Sequence, residues 1–322
     1  MIRTVMTLIA LTTFAVVAHA TPERWMSEGW RNTDFEKSSI DFSEILSGGP
    51  PRDGIPSIDA PKFIPLSDEK SLTDMEPVIG LEINGDARAY PLRILTWHEI
   101  VNDEVGGTPV AVTYCPLCNS SIVFERKVDN KLLDFGTTGK LRNSDMVMYD
   151  RQTESWWQQF IGTGIVGEMN GVELKSVPSR LESFANFKKR YPEGKVLVPN
   201  NPGFRDYGRN PYFNYDSSAR PFLYQGAMPE GIEPMARVIA FKVGGTQKAV
   251  SMPLLAKKKE LDVDGVKLSW SAGQNSALDD TVIAKGRDVG NVVVQKDGKD
   301  IVYDVTFAFV INAFHPGIDI VK

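Results

Sequence analysis

Val78 to Leu95 reads VIGLEINGDARAYPLRIL, and its pattern decides the fold. Apolar residues alternate on both sides of Asn84-Gly85, a pair that tolerates the positive φ needed at the centre of a two-residue turn. The stretch predicts a β-hairpin. The same punctuation returns at Val263-Asp264-Gly265-Val266 and at Val294 to Lys299 (VQKDGK). Val238 to Leu255, VIAFKVGGTQKAVSMPLL, echoes the opening stretch at Val78/Val238, Ile79/Ile239, Gly85/Gly245, Ala89/Ala249 and Leu95/Leu255. After a short slip, Gly107 to Val112 parallels Gly265 to Trp270, which sets Gly273 and Ser276 opposite Cys115 and Cys118. Helical text is sparse: Ile40 to Leu46, and Arg180 to Arg190 (RLESFANFKKR), stopped by Tyr191-Pro192. The expected fold is α+β and β-rich. Antiparallel hairpin-based sheets, or a barrel-like body, carry a weak internal pseudo-repeat and a few helices.

Composition bounds the function. The chain has 322 residues, 42% hydrophobic and 24% charged, with a net charge of −5. That mix excludes disordered, collagenous and coiled-coil classes, and nothing supplies the broad basic face of a nucleic-acid binder. Two cysteines and three histidines exclude a disulfide-dense scaffold or a multi-zinc module. Arg3, the apolar run Val5 to Val17 and Ala18-His19-Ala20 read as a secretory signal over residues 1–20. The expected location is therefore periplasmic or secreted, and the protein is not an integral membrane protein after cleavage. The expected organisation is a covering segment (21–75), a first β-rich half with the cysteines (76–200) and a second packed on it (201–322). Cleavage leaves His98, His315, Cys115 and Cys118 as the only histidines and cysteines.

The strand-like run Val110 to Tyr114 delivers Cys115-Pro116-Leu117-Cys118. A C-x-x-C pair sets two sulfurs close enough to bridge or to share a metal. Four chemistries are open to it: a disulfide stapling one turn, a redox-active dithiol, a metal site, and a cysteine nucleophile with His98 as base. The thioredoxin setting is missing, because no helical βαβ run follows Cys118. The metal set would be Cys115, Cys118, His98 and His315, with Met146 or Met148 added if the metal is Cu(I) rather than Zn.

Gly136 to Phe160 is dense in groups that orient ligands, among them Arg142, Asp145, Trp156 and Trp157. It is not a phosphate loop: Asp134 stands where the first glycine is required, and Leu141 replaces the Ser/Thr. Arg205 to Tyr212 and Asn214 to Asp216 form a Tyr/Asn/Gly loop without the acidic density of a calcium loop. Asn119-Ser120-Ser121 is formally a glycosylation sequon, and a glycan beside Cys118 would hinder chemistry there.

Trp97 to Asp103 (WHEIVND), Val112 to Asn119 (VTYCPLCN), Gly139 to Asp150 (GKLRNSDMVMYD) and Thr153 to Gln159 (TESWWQQ) resemble the domain of unknown function 3179 family. The resemblance spans most of the chain after residue 20 and implies no activity, substrate or catalytic residue. The favoured reading is a thiol-redox or metal-binding (Cu or Zn) role at Cys115 and Cys118, acting on an unknown small molecule or a thiol redox partner. His98 would be ligand or proton donor, with Arg142 and Asp145 orienting what binds. The alternative is a non-catalytic envelope binding protein, in which the cysteines staple a turn and Trp156 and Trp157 help hold a ligand or partner.

Overall fold

The computed structural model describes residues 21–322; the expected signal, residues 1–20, lies outside them. Over the described residues the protein is β-rich with five short α-helices, and its small, mainly antiparallel sheets stand in a ring in the manner of propeller blades. Separate sheets of two to five strands replace the barrel-like body. Tight two-residue turns join successive strands of the hairpins. Both central residues of these turns have positive φ: Asn84 and Gly85 (51° and 85°), Gly106 and Gly107 (54° and 80°), Asp264 and Gly265 (52° and 81°). Asn, Asp and Gly reach that left-handed region at least cost.

The internal echo is a duplication of topology. Pro77–Ile83 and Asp86–Pro91 pair from Val78↔Pro91 to Ile83↔Asp86. Arg237–Val243 and Thr246–Ser251 repeat that register from Val238↔Ser251 to Val243↔Thr246. Helix Leu92–His98 follows the first hairpin and Met252–Lys258 the second, each ended by a residue of positive φ, Glu99 (58°) and Lys259 (67°). Hairpins Ile100–Val105/Thr108–Cys115 and Glu260–Val263/Val266–Ser271 come next. Helices Phe184–Arg190 and Ala308–Phe314 each follow a strand that pairs back on its copy's first hairpin. Each copy then closes with a parallel strand, Val196 beside Ala89 and Ile320 beside Ala249; the second is an edge strand, whereas Lys62–Pro65 covers the first.

Register corrects one detail. Tyr114 donates to the Glu99 carbonyl (2.8 Å), and Trp270 donates to that of Lys259 (2.9 Å). Ser271, not Gly273, therefore occupies the place of Cys115, because the second hairpin's first strand has 4 residues where the first copy's has 6.

The copies differ by what is inserted. The first copy admits a further sheet, Phe135–Arg142, Asp145–Asp150, Trp156–Gln158 and Thr163–Val166, with Ile45–Ser47 on its edge. The second admits an irregular loop between Ser271 and Asn291. One apolar core holds Ile79, Leu81 and Tyr90 together with Ile239, Phe241 and Val250, so the two copies share it. Another joins Cys115, Cys118, Met146, Met148 and Trp157 to Phe307, Phe309 and Ile311. A third packs Trp25, Trp30 and Phe35 of the N-terminal segment on Trp156 of the inserted sheet. Among the described residues, no helix is long and apolar enough to cross a membrane.

Candidate functional site

The cysteines sit at the end of a hairpin. Pro116 occupies the second position of the turn, where its fixed φ suits the bend. Cys118 N–H donates back to the Cys115 carbonyl (3.2 Å), and Asn119 takes the left-handed conformation (φ 51°) before Ser120 pairs with Cys115. The turn is docked from outside. The Cys118 carbonyl accepts from Thr306 Oγ1 (2.8 Å), Asn119 Nδ2 donates to the Val305 carbonyl (2.7 Å), and Tyr215 Oη donates to the Leu117 carbonyl (3.0 Å). These contacts hold the backbone and leave both sulfurs pointing into the protein, at 0–1% exposure.

The inserted sheet supplies the third group. Its first hairpin pairs Arg142 with Asp145 across Asn143 and Ser144, both at positive φ (53° and 64°). Asp145 is fully buried, and its Oδ2 accepts from Gln158 Nε2 (2.6 Å) and Phe160 N–H (2.9 Å). Its Oδ1 has no hydrogen-bond partner, and the Cys118 thiol donates to the Ser144 carbonyl (3.6 Å). Cys115 Sγ, Cys118 Sγ and an Asp145 oxygen all lie within 4.8 Å of one another.

Burial raises the pKa of the carboxyls and thiols gathered here. It pushes Asp145 up to about 6 against the opposing pull of Phe160 N–H and Gln158. It pushes Glu99 up to about 8, with the nearby Asp145 charge adding to the effect. Both thiols are driven upward, chiefly by burial. Behind the turn, Asp304 receives Ser121 N–H (2.8 Å), and burial pushes it up to about 7. The groups hydrogen-bonded to Asp145 are an amide and a backbone N–H, with the two thiols close by, and none of them is a cation. Arg142 reaches it only through Gln158, whose Oε1 accepts from Arg142 Nη1 (3.3 Å). Desolvation without a counter-charge costs free energy, and proton uptake or a bound cation relieves it.

Beside this cluster opens a cavity of about 510 Å³. Glu99, Leu117 and Met146 line it next to the cysteines, and Tyr212, Phe213, Tyr215 and Phe222 add four aromatic rings, with Tyr215 reaching the Leu117 carbonyl. The aromatic roof belongs to the segment joining the two copies. Asp216 pins it with ion pairs to Arg237 (3.1 Å) and Arg287 (2.9 Å).

Of the residues expected at the site, Cys115, Cys118 and Asp145 come together, and the histidines do not join them. His98 Nδ1 lies 2.7 Å from the Pro56 carbonyl and Nε2 2.7 Å from Tyr207 Oη, so both ring nitrogens are engaged elsewhere. His315 borders a different cavity, with Phe160 and Asp304. The expected grouping of two cysteines with two histidines is thus not formed, and the groups that lie together are two cysteines and one aspartate. His98 is likewise not the base or proton donor at the sulfurs. The positive φ of Glu99 turns the chain at the helix end, so Glu99, one residue on, borders the cysteine cavity instead.

Arg142 acts at one remove, through Gln158, and also pairs with Glu44 (2.8 Å). Trp156 and Trp157 are fully buried. Trp156 packs on Trp25 and Trp30, while Trp157 Nε1 donates to Asp150 (2.9 Å). Glu99 is the residue the sequence reading passed over. Its only signal there was its place beside His98, whereas its burial follows from folding.

No curated protein and no solved structure matches the chain. The family model described as "Protein of unknown function (DUF3179)" matches residues 52–317, so the chain belongs to that family.

Proposed function

We propose that the protein is an exported metal-binding protein in which Cys115, Cys118 and Asp145 hold a divalent transition metal, zinc by preference. One observation carries this reading: two thiols and a carboxylate oxygen stand within 4.8 Å of one another, wholly buried, with no basic side chain among the groups that hold Asp145. A sulfur-rich set with one hard oxygen suits Zn(II), whereas Cu(I) prefers all-soft ligands. Three protein ligands leave a fourth position open, the arrangement of reactive rather than purely structural zinc sites. Gln158, braced by Arg142, fixes the orientation of Asp145, the part that outer hydrogen bonds play around metal ligands.

Thiol exchange with a partner ranks below metal binding. It needs an accessible thiolate of lowered pKa, and both thiols are buried with raised pKa.

The test is metal analysis of protein purified from its export compartment without chelator, followed by Co(II) substitution of the stripped form. One zinc per chain and a thiolate-to-cobalt charge-transfer band are expected. Protein that takes up neither metal, and whose cysteines are recovered as a Cys115–Cys118 disulfide, would overturn the proposal in favour of a stapled turn. A preparation holding copper instead would refute the choice of zinc.

A further inference from the structure

Glu99 is 8% exposed, and no hydrogen-bond donor, lysine or arginine among the described residues holds its carboxyl. What it borders is the 510 Å³ cavity, room enough for a small organic molecule. The remaining wall is neutral. Lys140 contributes only its stem, because its Nζ is bound to Glu28 (2.8 Å) beyond the cavity, over the rings of Trp25 and Trp156. Tyr212, Phe213, Tyr215 and Phe222 give the lining four aromatic rings. Phe213 and Phe222 stand 55% and 51% exposed, so their apolar faces are open to be covered.

From this geometry we infer that the cavity binds a small organic amine with an apolar or aromatic body, its ammonium on Glu99 and its body against the aromatic roof. A buried carboxyl without a partner is relieved by a cation, and aromatic faces attract cations and apolar groups alike. The buried Asp145 behind Glu99 adds to the negative field and disfavours an anionic ligand. Metal does not reverse the sign, since two thiolates and a carboxylate outweigh a divalent ion. This inference does not rest on the metal proposal, and the test is run on both metal-loaded and metal-free protein.

The experiment is isothermal titration of the full chain at pH 9, where the Glu99 carboxyl is ionised and the amine is still an ammonium, with three probes of one shape: phenethylamine, 2-phenylethanol and phenylacetate. Phenethylamine is expected to bind, the alcohol more weakly by about 10-fold or more, and the acid not at all. Glu99→Gln is expected to weaken the amine alone by about 10-fold or more and to leave the alcohol unchanged. Ser218→Trp, a filling change in the cavity wall, is expected to abolish binding of the amine and the alcohol. Circular dichroism confirms that each variant is folded. Tightest binding of the acid, equal binding of amine and alcohol, or no binding of the amine to folded wild-type protein would each overturn the inference. Amine affinity unchanged by Glu99→Gln would do the same.

Discussion

The two copies place different side chains on one backbone. Glu99, Tyr114 and Cys115 in the first occupy the positions of Lys259, Trp270 and Ser271 in the second. In the second copy Lys259 and Ser271 are exposed, and the Lys259 ammonium sits over the Trp270 ring at 3.8 Å. In the first copy the inserted sheet and the joining segment cover the hairpin end, and Tyr114 and Cys115 are buried. The difference teaches that the hairpin itself carries no chemistry. Burial turns a turn with two thiols and an acid into a set of desolvated groups, and the burying parts lie outside the repeat.

The comparison is broken most directly at the sulfurs. Replacing Cys115 and Cys118 together by Ser is expected to lower zinc affinity by about 1,000-fold or more, read by competition with a chromophoric chelator, while Ser271→Ala leaves it unchanged. A loss of equal size from Ser271→Ala would deny the first copy its special role. Next in size is the joining segment. Asp216 is fully buried between Arg237 and Arg287, and Asp216→Ala strands Arg237, whose side chain is 9% exposed. The expected cost is about 3–5 kcal/mol of stability in urea unfolding, with a loosened roof over the cavity.

A pH dependence sharpens the contrast further. Glu99 has an ordinary value near 4.5 and a folded value near 8, so the fold favours its protonated form. Its contribution is complete below about pH 4.5 and is lost as pH rises toward 8, with no further change above. Asp145 adds a smaller loss between its ordinary 3.8 and about 6. Metal-free protein should therefore lose stability across pH 5 to 8, on the order of a few kcal/mol. Glu99→Gln, neutral throughout, should flatten most of that slope. A wild-type profile level across the window would show Glu99 to be solvated. The smallest effect belongs to the exposed copy: Lys259→Ala removes one surface cation–π contact and should cost about 0.5–1 kcal/mol, with no effect on metal binding.

Much of the fold was legible because hairpins announce themselves locally. Asn84-Gly85 and Asp264-Gly265 specify their turns through backbone preference alone, and the in-phase apolar positions of Val78–Leu95 and Val238–Leu255 exposed the duplication. The site was legible in part. Cys115-Pro116-Leu117-Cys118 is a local motif, and Asp145 stood out in a polar stretch. The histidines misled through proximity in the chain: His98 is one residue from Glu99, yet the left-handed turn at Glu99 parts their directions. Trp156 and Trp157 look alike in sequence, but one packs under the N-terminal segment and the other in the core beside the cysteines.

By itself, then, the sequence determined the hairpins, the repeat, the tight C-x-x-C turn and the family, because each rests on residues near one another in the chain. Tertiary structure alone decided that Asp145 rather than a histidine meets the sulfurs, and that Glu99 borders a cavity without a partner. It also decided that one copy is buried while its twin stays wet. Those outcomes depend on an inserted sheet and a linking segment folding back over the turn. Desolvation, which raises the pKa of these groups and makes a cation favourable there, is a property of the packed surroundings and not of any one residue.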